Sequence, residues 1–421
     1  MHTSYGLKLF VAGLSAACGL VVEIVAGRMI APYLGMSLYT WTAIISVVLA
    51  GFSVGHWIGG RVAEQTSGNA LRIVAWSLLL AGASTALSLI LIRSIAPLVT
   101  SQNWGAVPTV LTVTFLLFFL PSLFVGIPSP VLTKLAVDDC KPTQMGRAIG
   151  AFFAVGAIGS IAGTLAAGFI FIAWLGSTTT LLLVALVYAL LGLLLLLPSR
   201  TKEAGRFLTI ATAVLVCSGL INFAGRTWDA FSDPCMIGSS YYCIRIVDVA
   251  SDYGQPARLM VLDHLGHGVN LRSEPQTLVS PYVELHDILA RIHTGRRSPF
   301  RTFFIGGGAY TLPRAWAAAR PDAEIWVAEI DPHVTKAAHA ELWLEPSPRI
   351  KTVFDDARTA LRHTKKGSFD VIIGDAFHDI VVPPHLVTLE FFELTASRLH
   401  DTGIYLMNVV DHRRRPRLVL S

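Results

Sequence analysis

The sequence predicts a multi-pass α-helical membrane domain followed by an α/β domain built on a doubly wound parallel sheet, with a small β region at its start. Three observations predict it. Charge is almost confined to the first ten residues, to short loops and to the part beyond about residue 226. Seven apolar runs in the first half reach the length of about 20 residues that a hydrocarbon core requires. From about residue 301 onward, short apolar strands alternate with helical segments, the pattern of parallel strands joined by crossover helices.

Composition supports the first half of this reading. Hydrophobic residues make up 53% of the 421 and charged residues 14%, a membrane-protein balance. A formal net charge of +5 in a soluble protein would point to nucleic acid. Here the basic residues flank apolar spans and set their orientation, so the partner expected is the lipid bilayer and no nucleic-acid partner is expected.

The runs fall near Leu7 to Ile30, Trp41 to Gly60, Leu71 to Ile92, Val107 to Ile127, Ile149 to Trp174, Thr180 to Pro198 and Phe207 to Phe223, giving a transmembrane domain over residues 1–225. No cleavable leader is expected, because the first run carries Glu23 and Arg28 and leads into the next span without a small-residue cleavage pattern. The loops after the second, fourth and sixth runs hold Arg61, Arg72, Lys134, Lys141, Arg147, Arg200, Lys202 and Arg206, which marks the cytoplasmic side. Seven crossings would then place the soluble domain outside. A re-entrant segment around Pro121, Pro128 and Pro130 would return it to the cytoplasm, and the sequence leaves both sides open. Gly51, Gly55 and Gly59, like Gly159 and Gly163, recur at four-residue spacing and predict close helix packing. Glu23 and Arg28 are ionisable groups at membrane depth, read as a structural pair or as a polar ligand site.

Residues 226–300 predict a small β region and a helix: strands near Tyr242 to Val249 and Arg258 to Leu262, a turn around Ser251 to Gly254, and a helix over Pro281 to Thr294. Five cysteines show no metal-ligand spacing, so no zinc or other metal site is expected. Cys235 and Cys243 are read as free thiols, with a disulfide as the alternative in an oxidising compartment. Residues 301–421 predict the nucleotide-binding part, shortened at its C-terminus, with strands at Arg301 to Ile305, Glu324 to Glu329, Ile350 to Val353, Asp370 to Gly374 and Gly403 to Asn408.

Ligands of such sheets bind at the carboxyl ends of the strands, where strand order reverses. Gly306, Gly307 and Gly308 follow the first strand and leave room for a nucleotide to approach the backbone. Glu329 and Asp331 end the second strand, about 20 residues further on, where an acid accepts ribose hydroxyls. Asp355 and Asp356 follow the third strand, within reach of an adenine amino group. The fourth strand ends in Asp375, with Asp379 in the same loop: two carboxylates able to hold a cationic amine and to take its proton. This order alone does not separate a nicotinamide from an S-adenosylmethionine-type ligand.

From about Gly238 onward the chain resembles the spermidine synthase (polyamine aminopropyltransferase) family. The likeness rests on Ser239-Ser240-Tyr241, Leu262-Asp263, Tyr282-Val283-Glu284, the glycine triplet, Val327 to Asp331, Asp355-Asp356 and Asp370 to Asp375. The whole chain is similar to bacterial fusions of that domain with a transporter-like membrane half, through Glu23, Arg28, Pro32, Tyr39, Trp41 and Gly59-Gly60-Arg61. The resemblance implies a Rossmann-like fold of the S-adenosylmethionine-methyltransferase type in a multi-pass protein of the bacterial inner (plasma) membrane. It implies transfer of an aminopropyl group from decarboxylated S-adenosylmethionine to an amine such as putrescine, without a metal, and subunits paired in a homodimer as in soluble relatives. By that resemblance Asp375 is the general base, Asp379 an amine anchor, Tyr241 a neighbour of the reacting centre, Tyr282 and Glu284 part of the substrate site, Glu329 the ribose ligand and Asp356 the adenine ligand. Ala309 stands where the family places an Asp against the donor's aminopropyl ammonium, and Tyr242 where a Gln is usual. Two other readings follow from these departures: a polyamine- or nucleotide-sensing transporter with a silent synthase-like domain, and a methyltransferase using intact S-adenosylmethionine.

Overall fold

The computed structural model describes residues 4–102, 104–196, 234–295, 298–377 and 382–409. It divides into two compact units, Met1–Pro234 and Cys235–Ser421. The boundary thus falls nine residues beyond the one expected from the change in composition.

The described residues of the first unit are helical apart from short connections. Its helices are α1 (Tyr5–Leu34), α2 (Leu38–Val62), α3 (Ser67–Thr100), α4 (Ala106–Gly126), α5 (Pro128–Asp138), α6 (Met145–Ala166) and α7 (Ile172–Leu196). Among the described residues, five helical segments are long and apolar enough to cross a membrane, the last of them spanning Pro142–Leu196. That last segment passes through a π-type turn at Ala167–Phe171 and is broken at Gly176, whose φ of 76° is open to glycine and costly for other residues, so it supplies two of the expected runs. The seventh run, Phe207 to Phe223, lies outside the described residues.

Pro121 lies inside α4, and Pro128 and Pro130 lie in the first turn of α5. Ile127 keeps helical angles (φ −64°, ψ −43°) and Pro128 occupies the first turn of α5, where its missing N–H costs nothing, so Ala106–Asp138 runs on as one segment. The glycine spacings are packing surfaces. A Cβ on Gly55 would lie 2.2 Å from the Leu123 carbonyl oxygen of α4, and one on Gly159 or Gly163 would lie 2.2 Å from the Gly13 or Ala17 oxygen of α1. Replacing Gly159 by Leu is expected to destabilise the bundle by about 1–3 kcal/mol or more, seen as a lower melting temperature of the detergent-solubilised protein; an unchanged melt would show that this contact is absent. Glu23 and Arg28 both lie half-buried on α1. Lys8, near the start of α1, is buried, donates to the Leu135 carbonyl at 3.1 Å and pairs with Asp139.

The second unit begins with an antiparallel sheet of four strands, β1 (Ile237–Gly238), β2 (Cys243–Asp248), β3 (Ala257–Leu262) and β4 (Leu265–Leu271), in the order β1-β2-β3-β4. Sequence patterning anticipates β2 and β3 but not their outer neighbours, because β1 is two residues long and β4 is broken by Gly266 and Gly268. The connection at Ser251 to Gly254 is one helical turn, Ala250–Tyr253, closed by Gly254 at φ 65°. Cys235 and Cys243 form a disulfide, correcting the expectation of free thiols.

Helix α8 (Pro281–Thr294) leads into the five parallel strands β5 (Phe300–Ile305), β6 (Ala323–Ala328), β7 (Ile350–Val353), β8 (Phe369–Gly374) and β9 (Leu399–Met407). Their order is β7-β6-β5-β8-β9. Helices α9 (Thr311–Ala319), α10 (Pro332–Glu341), α11 (Ala357–Arg362) and α12 (Leu389–Arg398) connect them. Alternation along β5 assigns the two cores: Phe304 packs with α9 and α10 residues on one face, and Phe303 and Ile305 with Leu361 and Phe391 on the other. The chain leaves β5 toward β6 on one side and later places β8 on the other. The ends of β5 and β8 therefore form the switch point, where a crevice opens.

Candidate active site

At that switch point the backbone comes first. Gly306 has φ 93°, and a Cβ there would lie 2.7 Å from the carbonyl oxygen of Asp375, so only glycine lets the two strand ends meet. Gly308 (φ 48°) turns the chain beneath His267 of β4. Gly307 is covered from below by the Tyr310 ring, which a Cβ would meet at 2.5 Å. Tyr310 itself is fully buried at φ 55°, a conformation uncommon outside glycine; its hydroxyl shares hydrogen bonds with Thr335 (2.7 Å) and Thr352 (3.3 Å).

A cleft opens above these turns. Gly306, Gly308, Glu329, Ile330, Asp356 and Asp375 form its floor and one wall, and Tyr242, Leu262, His267, Phe377, Pro383 and His385 line the rest.

Asp375 follows β8 directly. Its Oδ1 accepts from Asn408 Nδ2 at 3.0 Å, and its Oδ2 from the Tyr282 hydroxyl at 3.3 Å. Burial pushes its carboxyl up to about 6, against the lowering effect of these two donors. Tyr282 is driven far above the ordinary phenol range, by burial first and then by the Asp375 charge and hydrogen bond, so it stays a donor. Glu329 is buried; Oε2 accepts from Gly307 N–H at 2.8 Å and Oε1 from Asp331 N–H at 2.9 Å. Burial raises its carboxyl, and the backbone donors oppose that rise.

Asp356 caps α11 through Thr359 N–H (3.0 Å), while its other oxygen meets His385 Nε2 at 2.7 Å. Burial pushes this carboxyl up, but the Thr359 and His385 bonds outweigh it and hold it below the usual range.

The structure brings Asp375, Glu329, Asp356, Gly306 and Gly308 to one cleft and sets Tyr282 behind Asp375. Other candidates stand elsewhere. Asp331 is fully buried, capping α10 through His333 N–H at 3.0 Å and accepting from Ser239 Oγ. Asp355 is exposed, accepts from Asp356 N–H, and lines a different surface hollow with Trp326 and His363. Glu284 is exposed in the first turn of α8, and Tyr241 is 41% exposed beside Tyr242. Asp379 lies outside the described residues. Ala309 is 1% exposed and does not line the cleft, because Gly268 of β4 packs on it: a Cβ at 268 would lie 2.9 Å from that of Ala309.

Sequence reasoning missed Asn408, His267 and His385, and noted Tyr242 only as a departure from the family's Gln, not as a cleft residue. Asn408 ends the fifth strand, so the strand-end rule applied to Glu329 and Asp375 reaches it too. Tyr242 and His267 arrive from the antiparallel sheet, across separations with no local sequence signal.

No family model matches the chain. It is 32% identical to the polyamine aminopropyltransferase of Vibrio vulnificus over 112 residues, 26% of this chain and 38% of that relative's length. Polyamine aminopropyltransferase 2 of Streptomyces coelicolor is 24% identical over 99% of this chain and 76% of its own, and the polyamine aminopropyltransferase of Corynebacterium efficiens is 24% identical over 94% and 76%. These two matches run through the membrane unit as well as the sheet unit. Among solved structures, a probable spermidine synthase from Corynebacterium glutamicum is 27% identical with a TM-score of 0.39, covering 41% of this chain and 63% of that one. Over nearly its whole length the chain is thus similar to bacterial polyamine aminopropyltransferases (spermidine synthase-like), and its described residues include apolar helices long enough to cross a membrane.

Proposed function

We propose that the C-terminal unit transfers the aminopropyl group of decarboxylated S-adenosylmethionine to an amine such as putrescine. The observation that supports this most is Asp375, a carboxylate on the wall of the cleft at the switch point, oriented through both oxygens by Asn408 and Tyr282. With its carboxyl near 6 it is ionised at neutral pH yet basic enough to accept a proton. In the proposed step Asp375 takes a proton from the amine, and the freed nitrogen lone pair attacks the propyl carbon bound to the sulfonium. The carbon–sulfur bond breaks with its electron pair going to sulfur, and neutral methylthioadenosine leaves. Glu329 is the proposed partner of the ribose hydroxyls and Asp356 of the adenine amino group, which would compete with His385 for one carboxylate oxygen. Asp379 is the proposed anchor for the amine.

Isothermal titration of the detergent-solubilised protein with methylthioadenosine and with decarboxylated S-adenosylmethionine tests the proposal. Saturable heats with both are expected, and silence with both would remove it. The pH–rate profile adds a second check. Below the Asp375 pKa the base is already protonated, so kcat/KM is expected to fall on the acid side with an apparent pKa near 6. Asn408→Ala removes a donor that favours the charged form and is expected to move that limb upward. A limb at about 4, the ordinary carboxylate value, would contradict the assignment.

Ala309 favours a second reading, methyl transfer from intact S-adenosylmethionine, since no acid stands there to select a decarboxylated tail. The mass added to the amine separates the two. Amine uptake into vesicles that depends on Glu23 and ignores Asp375→Asn would instead support a transporter with a silent C-terminal unit.

A further inference from the structure

The Cys235–Cys243 disulfide takes no part in the chemistry above, but it closes the turn that carries Ser239, Tyr241 and Tyr242. Ser239 Oγ accepts from Tyr241 N–H at 3.0 Å and Tyr242 N–H at 2.9 Å, and donates to Asp331. The Tyr242 hydroxyl donates to the Phe377 carbonyl at 3.0 Å, and its ring lines the cleft. One stapled turn therefore grips both the segment after β6, which supplies Glu329, and the loop after β8, which supplies Asp375. A disulfide in such a place forms and lasts in an oxidising compartment.

An independent observation points to the same compartment. In the membrane unit the connection between α2 and α3 is flanked by Arg61 and Arg72, and that between α5 and α6 by Lys134, Lys141 and Arg147. The connections at 35–37 and 101–105 and the break at Gly176 carry no Lys or Arg. The pairing of Lys8 with Asp139 sets the start of α1 at the basic end of the bundle, which is the cytoplasmic end. Helix α7 leaves the uncharged end at Gly176 and returns to the basic one, where the sequence continues with Arg200, Lys202 and Arg206. The apolar run 207–223, outside the described residues, is long enough for one more crossing.

We propose that the C-terminal unit works on the extracytoplasmic, oxidising side of the membrane, with the Cys235–Cys243 disulfide as the staple that holds the Ser239–Tyr242 turn against the cleft. The placement stands by itself; the effect on ligand binding rests on the aminopropyl-transfer reading. A site there meets the amines and sulfonium compounds of the extracytoplasmic space, and a cytosolic donor must cross the bilayer to reach it.

The test uses intact cells making the full chain, a membrane-impermeant maleimide mass tag and an impermeant phosphine reductant. Cys18 and Cys217 lie in apolar runs, and Cys140, at the basic connection between α5 and α6, is the control for the cytoplasmic face. Half-buried Cys235 is expected to take the tag only after reduction, to lose it in Cys235→Ser, and to be reached while Cys140 is still protected until the cells are permeabilised. Tagging of Cys235 without reductant, tagging of Cys235 only after permeabilisation, or tagging of Cys140 in intact cells would each overturn the placement. For the purified protein, reduction is expected to weaken methylthioadenosine binding at least about tenfold by releasing a preorganised turn. Equal affinity before and after reduction would overturn the staple. Failure of both forms to bind would remove the aminopropyl-transfer reading and leave the placement intact.

Discussion

Asp375→Asn is expected to lower the rate of aminopropyl transfer by about 10²–10⁴-fold, the range a positioned general base supplies, while methylthioadenosine affinity stays within about threefold. The asymmetry follows from geometry. The substitution keeps size and shape, so the strand-end contact between Gly306 and the carbonyl of residue 375 survives, and Glu329 and Asp356 are untouched. What is lost is the acceptor for the amine's proton. Single-turnover product formation followed by mass spectrometry, beside titration with methylthioadenosine, reads the two effects separately. A variant that turns over at the parental rate would deny Asp375 the role of base. One that loses both activity and affinity would place the residue in holding the nucleoside.

The sequence announces the sheet and the ends of its strands because period-two alternation and glycine turns are local. It also announces the glycine faces of α2 and α6, since four-residue spacing on a helix is one face. It does not say which of two neighbouring strand-end acids faces the crevice. Glu329 and Asp356 do, whereas Asp331 turns into the protein to cap α10 and hold Ser239, and Asp355 turns to the opposite surface. That choice is made by tertiary packing. The disulfide was hidden for a related reason: its two cysteines meet only because the two-residue strand β1 pairs with β2, and a strand so short has no pattern to read. Tyr242 is the same case at longer range, its partner Phe377 lying 135 residues away.

Glu329→Ala is expected to weaken methylthioadenosine binding by roughly 10–100-fold, the equivalent of a hydrogen bond or two to a charged group. The carboxylate already accepts from Gly307 N–H and Asp331 N–H, and Glu329 lines the cleft, where ribose hydroxyls would use its remaining lone pairs. Its removal also strands two backbone donors, so a loss of about 1–3 kcal/mol in stability is expected beside the loss of affinity. The pH dependence of binding separates the two effects. Burial holds the carboxyl high in the free protein, and hydroxyl donors from a ribose favour its charged form. Binding therefore lowers its pKa, and affinity rises as pH increases through the free-state titration. The alanine variant lacks this rise even at temperatures where it remains folded. If Glu329→Ala binds methylthioadenosine with parental affinity and the same pH dependence, the acid at the end of β6 serves the glycine turn alone, and the ribose must be held by another group.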